Sequence, residues 1–186
     1  MVPTIVLAAF IAGSIPFGVI IAKRRGVNIR EQGSGNIGAT NVARVLGLGT
    51  GLLVLVLDAL KGVAATLLAL EWCGIDWVLA LAGFTAILGH CFSPFLGGKG
   101  GKGVATALGV FAVLSPALAF VGVAVFLVVA GKTRIPALGS LGGIASATAY
   151  AFATGAPTSV GLTALATTLL LIYTHRGNLA RLITTS

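Results

Sequence analysis

Three short stretches hold most of the residues in this chain that can bind or activate a charged substrate. The first, EQGSGNIGATNVAR at residues 31–44, sets Ser34, Asn36, Thr40, Asn41 and Arg44 among glycines. Glycines let backbone N–H groups come close to an anion, hydroxyls and amides orient it, and an arginine offers a planar fork to phosphate oxygens. Its inner segment, Gly33 to Gly38, matches G-x-G-x-x-G. A dinucleotide loop needs a strand before it and a βαβ unit around it, whereas here a long apolar run precedes it. A phosphate cradle and a plain flexible linker both fit these residue types.

The second stretch, GGKGGKGVAT at 97–106, places Lys99 and Lys102 among Gly97, Gly98, Gly100, Gly101 and Gly103, and ends at Thr106. It is no Walker loop, because Leu96 stands where the first glycine belongs and Gly103 follows Lys102 in place of Ser or Thr. It does open an apolar run, so a helix is expected from about Val104. The N-terminus of a helix attracts phosphate through its dipole and its unbonded amides. A basic topology anchor is the plainer alternative.

The third stretch, THRGNLARL at 174–182, carries His175, Asn178 and Arg181. At i, i+3 and i+6 they share one face if the helix continues through them. Histidine at a helix end serves more often as a structural hydrogen-bonder than in catalysis, and His90 is read in the same way. Asp58 and Lys61 lie inside an apolar run at i, i+3, where an ion pair within one helix suits them. Ser140, in TRIPALGSLGGIAS, fits either helix packing or a site.

Some chemistry is excluded. The only acids are Glu31, Asp58, Glu71 and Asp76, so a carboxylate base is not expected. No His-x4-Asp pair exists, since Phe95 and Ala180 occupy the fifth positions after His90 and His175. Cys73 and Cys91 lack neighbouring ligands at zinc spacing. If they bracket one helix they stand about 27 Å apart at 1.5 Å per residue, too far for a disulfide. Neither a metal nor a cofactor is expected.

The elements that carry these stretches are membrane helices. Of 186 residues, 57 % are apolar and 9 % charged, against about 25 % charged in soluble domains. Mean hydropathy is +1.07. Apolar runs cover roughly 2–22, 48–71, 76–93, 104–130, 135–154 and 157–174, and the first, without a cleavage signal, reads as a retained helix. The net charge of +8 reflects positive-inside topology ahead of nucleic acid binding, and no nucleic acid partner is expected. Lys23, Arg24, Arg25, Arg30 and Arg44 place the first loop in the cytoplasm and the N-terminus outside. The connection from Glu71 to Asp76 has acids and no base, as an external loop can.

Splitting run 104–130 at Ser115-Pro116 keeps every basic loop on one side, and proline readily starts a new helix. The expectation is an all-α, polytopic membrane protein in one domain, 1–186. It has seven transmembrane helices, N-terminus outside and C-terminus cytoplasmic, with six as the alternative. The three polar stretches then share the cytoplasmic face.

The motifs SGNIGATNVAR (34–44), KGGKGVAT (99–106) and HRGNLARL (175–182) resemble the signatures of the bacterial acyl-phosphate-dependent glycerol-3-phosphate acyltransferases. GHCFSPF (89–95), LDALKG (57–62) and Ser140 are similar too. The resemblance runs the length of the chain, in order. It departs at Thr174, where a basic residue often precedes the histidine, and at Gly177, where a polar residue is usual.

The resemblance implies a seven-helix enzyme of the bacterial cytoplasmic (inner) membrane. Its active site would face the cytoplasm, with glycerol 3-phosphate, acyl phosphate and membrane lipid as partners. Acyl transfer to the 1-hydroxyl would give lysophosphatidic acid and inorganic phosphate. The matching positions imply essential roles for Ser34, Arg44, His175 and Asn178. They also imply a glycerol-phosphate site at Gly100–Gly103 with Lys102.

The residue types agree with that chemistry. An acyl phosphate is already an activated anhydride, so it needs a positioned alcohol and a stabilised transition state, with no covalent acyl-enzyme. The hydroxyl proton can pass to His175 or to the substrate phosphate. A transporter or channel for phosphorylated anions is the rival reading. It calls for ionisable residues deep in several helices, and Asp58 and Lys61 are the only pair that qualifies.

Overall fold

The structure, a computed structural model, describes residues 1–184. Its regular elements are helices, with no strand among the described residues. The chain divides within one helix into two compact units, Met1–Val110 and the part from Phe111 onward.

In the first unit, α1 (Val2–Ser14) and α2 (Phe17–Arg24) come from a run expected to form one helix. The break falls at Ile15-Pro16, because proline has no N–H and its ring clashes with the preceding turn. A two-residue turn over Ile15 and Pro16 leaves Ser14 O without a backbone donor, and Ile15 O with the Phe17 N–H at 3.2 Å. Ser93 Oγ donates to Ser14 O at 2.7 Å, and Lys61 Nζ donates to Ile15 O at 2.8 Å. The break is thus repaired from two other elements.

Helix α3 (Ala39–Leu46) is a second departure, since half of the stretch expected to be a loop is helical. It buries Asn41 and Val42 and ends at Gly47, whose φ of 88° few other residues adopt. α4 (Leu48–Cys73) and α5 (Asp76–Cys91) follow, then a 3-10 turn at Pro94–Leu96 and α6 (Val104–Leu114).

α4 is inside out relative to a soluble helix. It buries Thr50, Gly51, Asp58, Lys61, Gly62 and Thr66, and exposes Leu52, Leu53, Val56, Leu60, Leu67 and Leu68. An outward apolar face with polar and small residues inside is the arrangement a lipid solvent selects. Trp72 and Trp77 are exposed on either side of the α4–α5 turn, as interfacial anchors are. Glycine lets the helices approach closely: a Cβ at Gly13 would strike the backbone of Ala86, and one at Gly89 that of Phe10.

The second unit holds α7 (Pro116–Thr133), α8 (Pro136–Ala153), α9 (Thr158–Thr174) and α10 (Arg176–Thr184). The α6–α7 break falls at Ser115, with extended backbone at φ −162° and Pro116 opening the next helix, where the sequence places it. α7 is 18 residues long and ends at Thr133, beyond the apolar run that closes at residue 130. Gly139 and Gly143 of α8 sit against α7, where a Cβ at Gly143 would lie 2.5 Å from Gly122 O. α8 and α9 share a hydroxyl pair, Thr148 Oγ1 to Thr168 Oγ1 at 2.8 Å.

Four helical stretches are long and apolar enough to cross a membrane alone: Val2–Arg24, Leu48–Cys73, Asp76–Leu96 and Pro116–Thr133. The bent pair α9–α10 makes a fifth if taken as one span. This is fewer than the seven expected, for two physical reasons. α6 has 11 residues, so it reaches only about 16 Å of a hydrocarbon core roughly 30 Å thick. α8 has the length, but Gly, Ser and Thr dilute its apolar character.

Candidate active site

Asn41 organises the first stretch. Its side chain is 2 % exposed, and its Oδ1 accepts the Ser34 N–H at 2.8 Å. Its Nδ2 donates to Asn36 O at 2.9 Å and Gln32 O at 3.0 Å, with a longer contact to Ile29 O at 3.4 Å. One amide from α3 therefore folds the whole preceding loop onto itself. Gly33 and Gly35 flank Ser34 with φ of 59° and 71°. A Cβ at Gly33 would also strike Asn41 Oδ1. The loop needs glycine for conformation and for room. Asn36 Oδ1 accepts the Gly38 N–H at 2.8 Å and so sets the start of α3. Ser34, Thr40 and Arg44 remain exposed and Asn36 is half-buried.

The glycine-rich stretch lies in the same unit. Gly100 and Gly101 donate their N–H groups to Cys91 O and His90 O, both at 3.0 Å. These are carbonyls at the C-terminus of α5, where the helix itself supplies no donor. The stretch then turns into α6, whose first turn begins at Val104, and Ala107 N–H bonds to Gly103 O at 2.8 Å. The expected helix opening is therefore present. Lys99 is exposed, Lys102 half-buried and Gly103 buried. Thr106 is fully buried, with its Oγ1 lacking a hydrogen-bond partner.

Arg30 joins the two stretches, its guanidinium donating to the carbonyl of Lys99. In the sequence Arg30 counts only as a topology charge, and nothing in its spacing indicates this contact. Beneath the glycine-rich stretch lies a buried polar cluster. Lys61 Nζ stands 2.7 Å from Asp58 Oδ1, and His90 Nδ1 stands 3.7 Å from the same oxygen. Asp58 and Lys61 form the ion pair expected from their spacing, and Lys61 also lies 5.8 Å from the Phe17 ring centroid. An isolated buried charge is costly, so each member depends on the others.

The remaining predicted residues belong to the second unit. Ser140 is half-buried, and its Oγ donates to Pro136 O at 2.9 Å. His175 is 2 % exposed, and its Nδ1 lies 2.8 Å from Leu171 O. A carbonyl only accepts, so Nδ1 carries the proton, and in the neutral ring Nε2 is the lone-pair nitrogen. The helix does not run on through the motif. α9 stops at Thr174, and α10 leaves it at 57°. Asn178 and Arg181 therefore lie on a new helix, with Asn178 N–H bonded to His175 O at 2.8 Å, and not on one continuous face with His175. Asn178 is half-buried and Arg181 exposed. The two cysteines are free, as expected, with Cys91 buried. No group of three potential metal ligands occurs among the described residues.

Comparison with known proteins agrees with these motifs. A family model described as glycerol-3-phosphate acyltransferase matches residues 3–185. The chain is 46 % identical over 181 residues to the glycerol-3-phosphate acyltransferase of Aquifex aeolicus, covering 97 % of this chain and 94 % of that one. It is 45 % identical over 176 residues to that of Thermus thermophilus, covering 95 % and 88 %. It is also similar to the crystal structure of PlsY, an integral membrane glycerol 3-phosphate acyltransferase, in its glycerol 3-phosphate form. There the TM-score is 0.94 at 45 % identity, with 99 % of this chain and 92 % of that chain covered. The lysophosphatidic acid form of PlsY matches with a TM-score of 0.93. Motifs, helices with lipid-suited surfaces and full-length similarity converge: the chain belongs to the glycerol-3-phosphate acyltransferase family of integral membrane proteins.

Proposed function

We propose that this protein transfers an acyl chain from acyl phosphate to the 1-hydroxyl of glycerol 3-phosphate, giving lysophosphatidic acid and inorganic phosphate. The observation that carries the reading is the joining of two phosphate-suited segments by Arg30: the Ser34 loop folded by Asn41, and the glycine-rich turn that opens α6. Lys102 with Gly100–Gly103 binds the glycerol phosphate, helped by Lys99 and Thr106. Ser34 and Arg44 serve the transfer itself, Asn36 and Thr40 bind substrate beside them, and Asn41, expected to bind substrate too, acts by folding their loop. By their places in the motifs, Asn178 is assigned a catalytic role and Ser140 and Arg181 substrate-binding roles.

The reaction is one displacement at the acyl carbon. The hydroxyl oxygen bonds to that carbon, the bond from carbon to the phosphate oxygen breaks, and phosphate leaves with the bonding pair. Nε2 of His175 takes the hydroxyl proton, a role supported by the Leu171 carbonyl fixing Nδ1 as the donor; the substrate's own phosphate is the other acceptor within the reaction. Cationic groups and amides stabilise the developing charge. Two unit charges 4 Å apart attract by about 4 kcal/mol at an effective dielectric of 20, so Lys102 and Arg44 are worth several orders of magnitude before desolvation. No covalent acyl-enzyme is required.

In this reading the chain is one catalytic domain with seven crossings in the bacterial inner membrane: α1–α2 together, then α4, α5, α6, α7, α8 and α9. The short α6 spans a locally thinned bilayer. The polar stretches face the cytoplasm, and the donor's tail stays in lipid at about 0.8 kcal/mol per buried methylene.

Purified protein supplied with acyl phosphate and glycerol 3-phosphate should release lysophosphatidic acid and phosphate in equal amounts. No product under saturating substrates would overturn the reading. Uptake of glycerol 3-phosphate into sealed vesicles without product would establish a transporter instead.

A further inference from the structure

We infer that His90, held by the Asp58–Lys61 pair, is a positioning residue that seats the glycine-rich segment and thereby places Lys102. The inference rests on reading that segment as the glycerol-phosphate site, and adds three residues which that reading does not use.

The groups stand in series, with one through-space step between Asp58 and His90. Lys61 Nζ donates to Ile15 O at the broken first span and pairs with Asp58 Oδ1 at 2.7 Å. The same carboxylate oxygen faces His90 Nδ1 at 3.7 Å. The far side of the ring, Nε2, lies against Gly101 so closely that no Cβ fits there. The backbone repeats the attachment, with Gly101 N–H on His90 O and Gly100 N–H on Cys91 O. Lys102 is the next residue.

His90 is 4 % exposed, Asp58 2 % and Lys61 6 %. Apolar residues would fill this volume without the desolvation cost of buried charge. What a charged series adds is direction. The carboxylate is held by Lys61, its charge faces the ring nitrogen through space across 3.7 Å, and the Nε2 edge of the ring decides where the glycine backbone rests. Packing alone would tolerate several resting places, and a phosphate site needs its donors held within about half an ångström.

The experiment uses full-length protein, with glycerol 3-phosphate varied at saturating acyl phosphate. The variants are His90→Ala, Gly101→Ala and the two combined. Each single change should raise KM at least about tenfold while kcat stays within about threefold, since loss of seating weakens binding without touching the reacting atoms. In the double variant the new methyl occupies room vacated by the ring. Its KM should therefore rise no further than the worse single, which is the non-additivity of touching residues. Amide exchange at Gly100 and Gly101, followed without substrate, should accelerate in His90→Ala.

Wild-type KM in both singles, multiplicative effects in the double, or unchanged exchange would each overturn the inference. If His90→Ala does not fold, His90→Gln, which keeps a polar side chain in the same place, decides by the same KM and exchange criteria. Inactive wild-type protein would instead count against the proposed reaction, and the exchange measurement would still read the seating.

Discussion

Replacing Asn41 by aspartate changes one atom type and almost no volume, and the consequences can be worked from its hydrogen bonds. Oδ1 still accepts the Ser34 N–H, but the Nδ2 that donated at 2.9 Å to Asn36 O and 3.0 Å to Gln32 O becomes an oxygen. Two part-buried acceptors, and the longer contact to the buried Ile29 O, lose their donor and face a repelling lone pair. At about 1–3 kcal/mol for each unsatisfied group, less what water recovers at the loop surface, the folded loop loses about 3 kcal/mol. If that energy must be regained when substrate binds, affinity for glycerol 3-phosphate falls up to about a hundredfold, at 1.4 kcal/mol per factor of ten.

The assay is KM for glycerol 3-phosphate together with amide exchange across residues 29–38. Asn41→Asp should raise KM between about tenfold and a hundredfold and speed exchange throughout the loop. Asn41→Ala should do the same and also release the Ser34 amide. Exchange at wild-type rates in both variants would refute the reasoning, because Asn41 would then not be what folds the loop.

Three further outcomes are expected. His175→Asn retains a donor towards Leu171 O but has no group at Nε2, so kcat should fall more than about a hundredfold, the usual scale of general acid–base catalysis; turnover within about threefold of wild type would free the imidazole from proton transfer. Lys102→Ala should raise KM for glycerol 3-phosphate and spare kcat, and an unchanged KM would remove Lys102 from the site. Lys61→Met strands the Asp58 charge and takes one of two donors from Ile15 O. It should cost about 3–5 kcal/mol, read as earlier labelling of the buried Cys91 thiol on heating; an unchanged labelling temperature would contradict the cluster's structural weight.

The residues that could be read in advance are those whose effect is local. Pro116 after Ser115 breaks an apolar run wherever it stands, and the Gly103–Val104 boundary opens a helix for similar reasons. Asp58 and Lys61 announce their pairing by spacing alone. Local signals failed where tertiary partners decide. Pro16 carries the same breaking signal as Pro116, and the donors that Ser93 and Lys61 bring to its break come from other elements. α3 was hidden because its polar residues look like loop, while its helix is fixed by Asn41 bonding outward to the preceding backbone. The bend after Thr174 was missed for a related reason, since a periodic His-Asn-Arg spacing is blind to the axis changing direction at the histidine. Arg30 reaches a carbonyl 69 positions away, and a single sequence carries no sign of such a contact.

The most direct test of the central claim is a nuclear magnetic resonance distance between the phosphorus of bound glycerol 3-phosphate and 15N-labelled lysine side chains in membranes. One lysine signal should be strongly dephased by phosphorus, at a nitrogen–phosphorus separation of about 4 Å, one P–O bond beyond the oxygen of a charged hydrogen bond, and this effect should disappear in Lys102→Ala. Dephasing that survives Lys102→Ala, or no dephased lysine at all with substrate bound, would contradict a phosphate grip centred on Lys102.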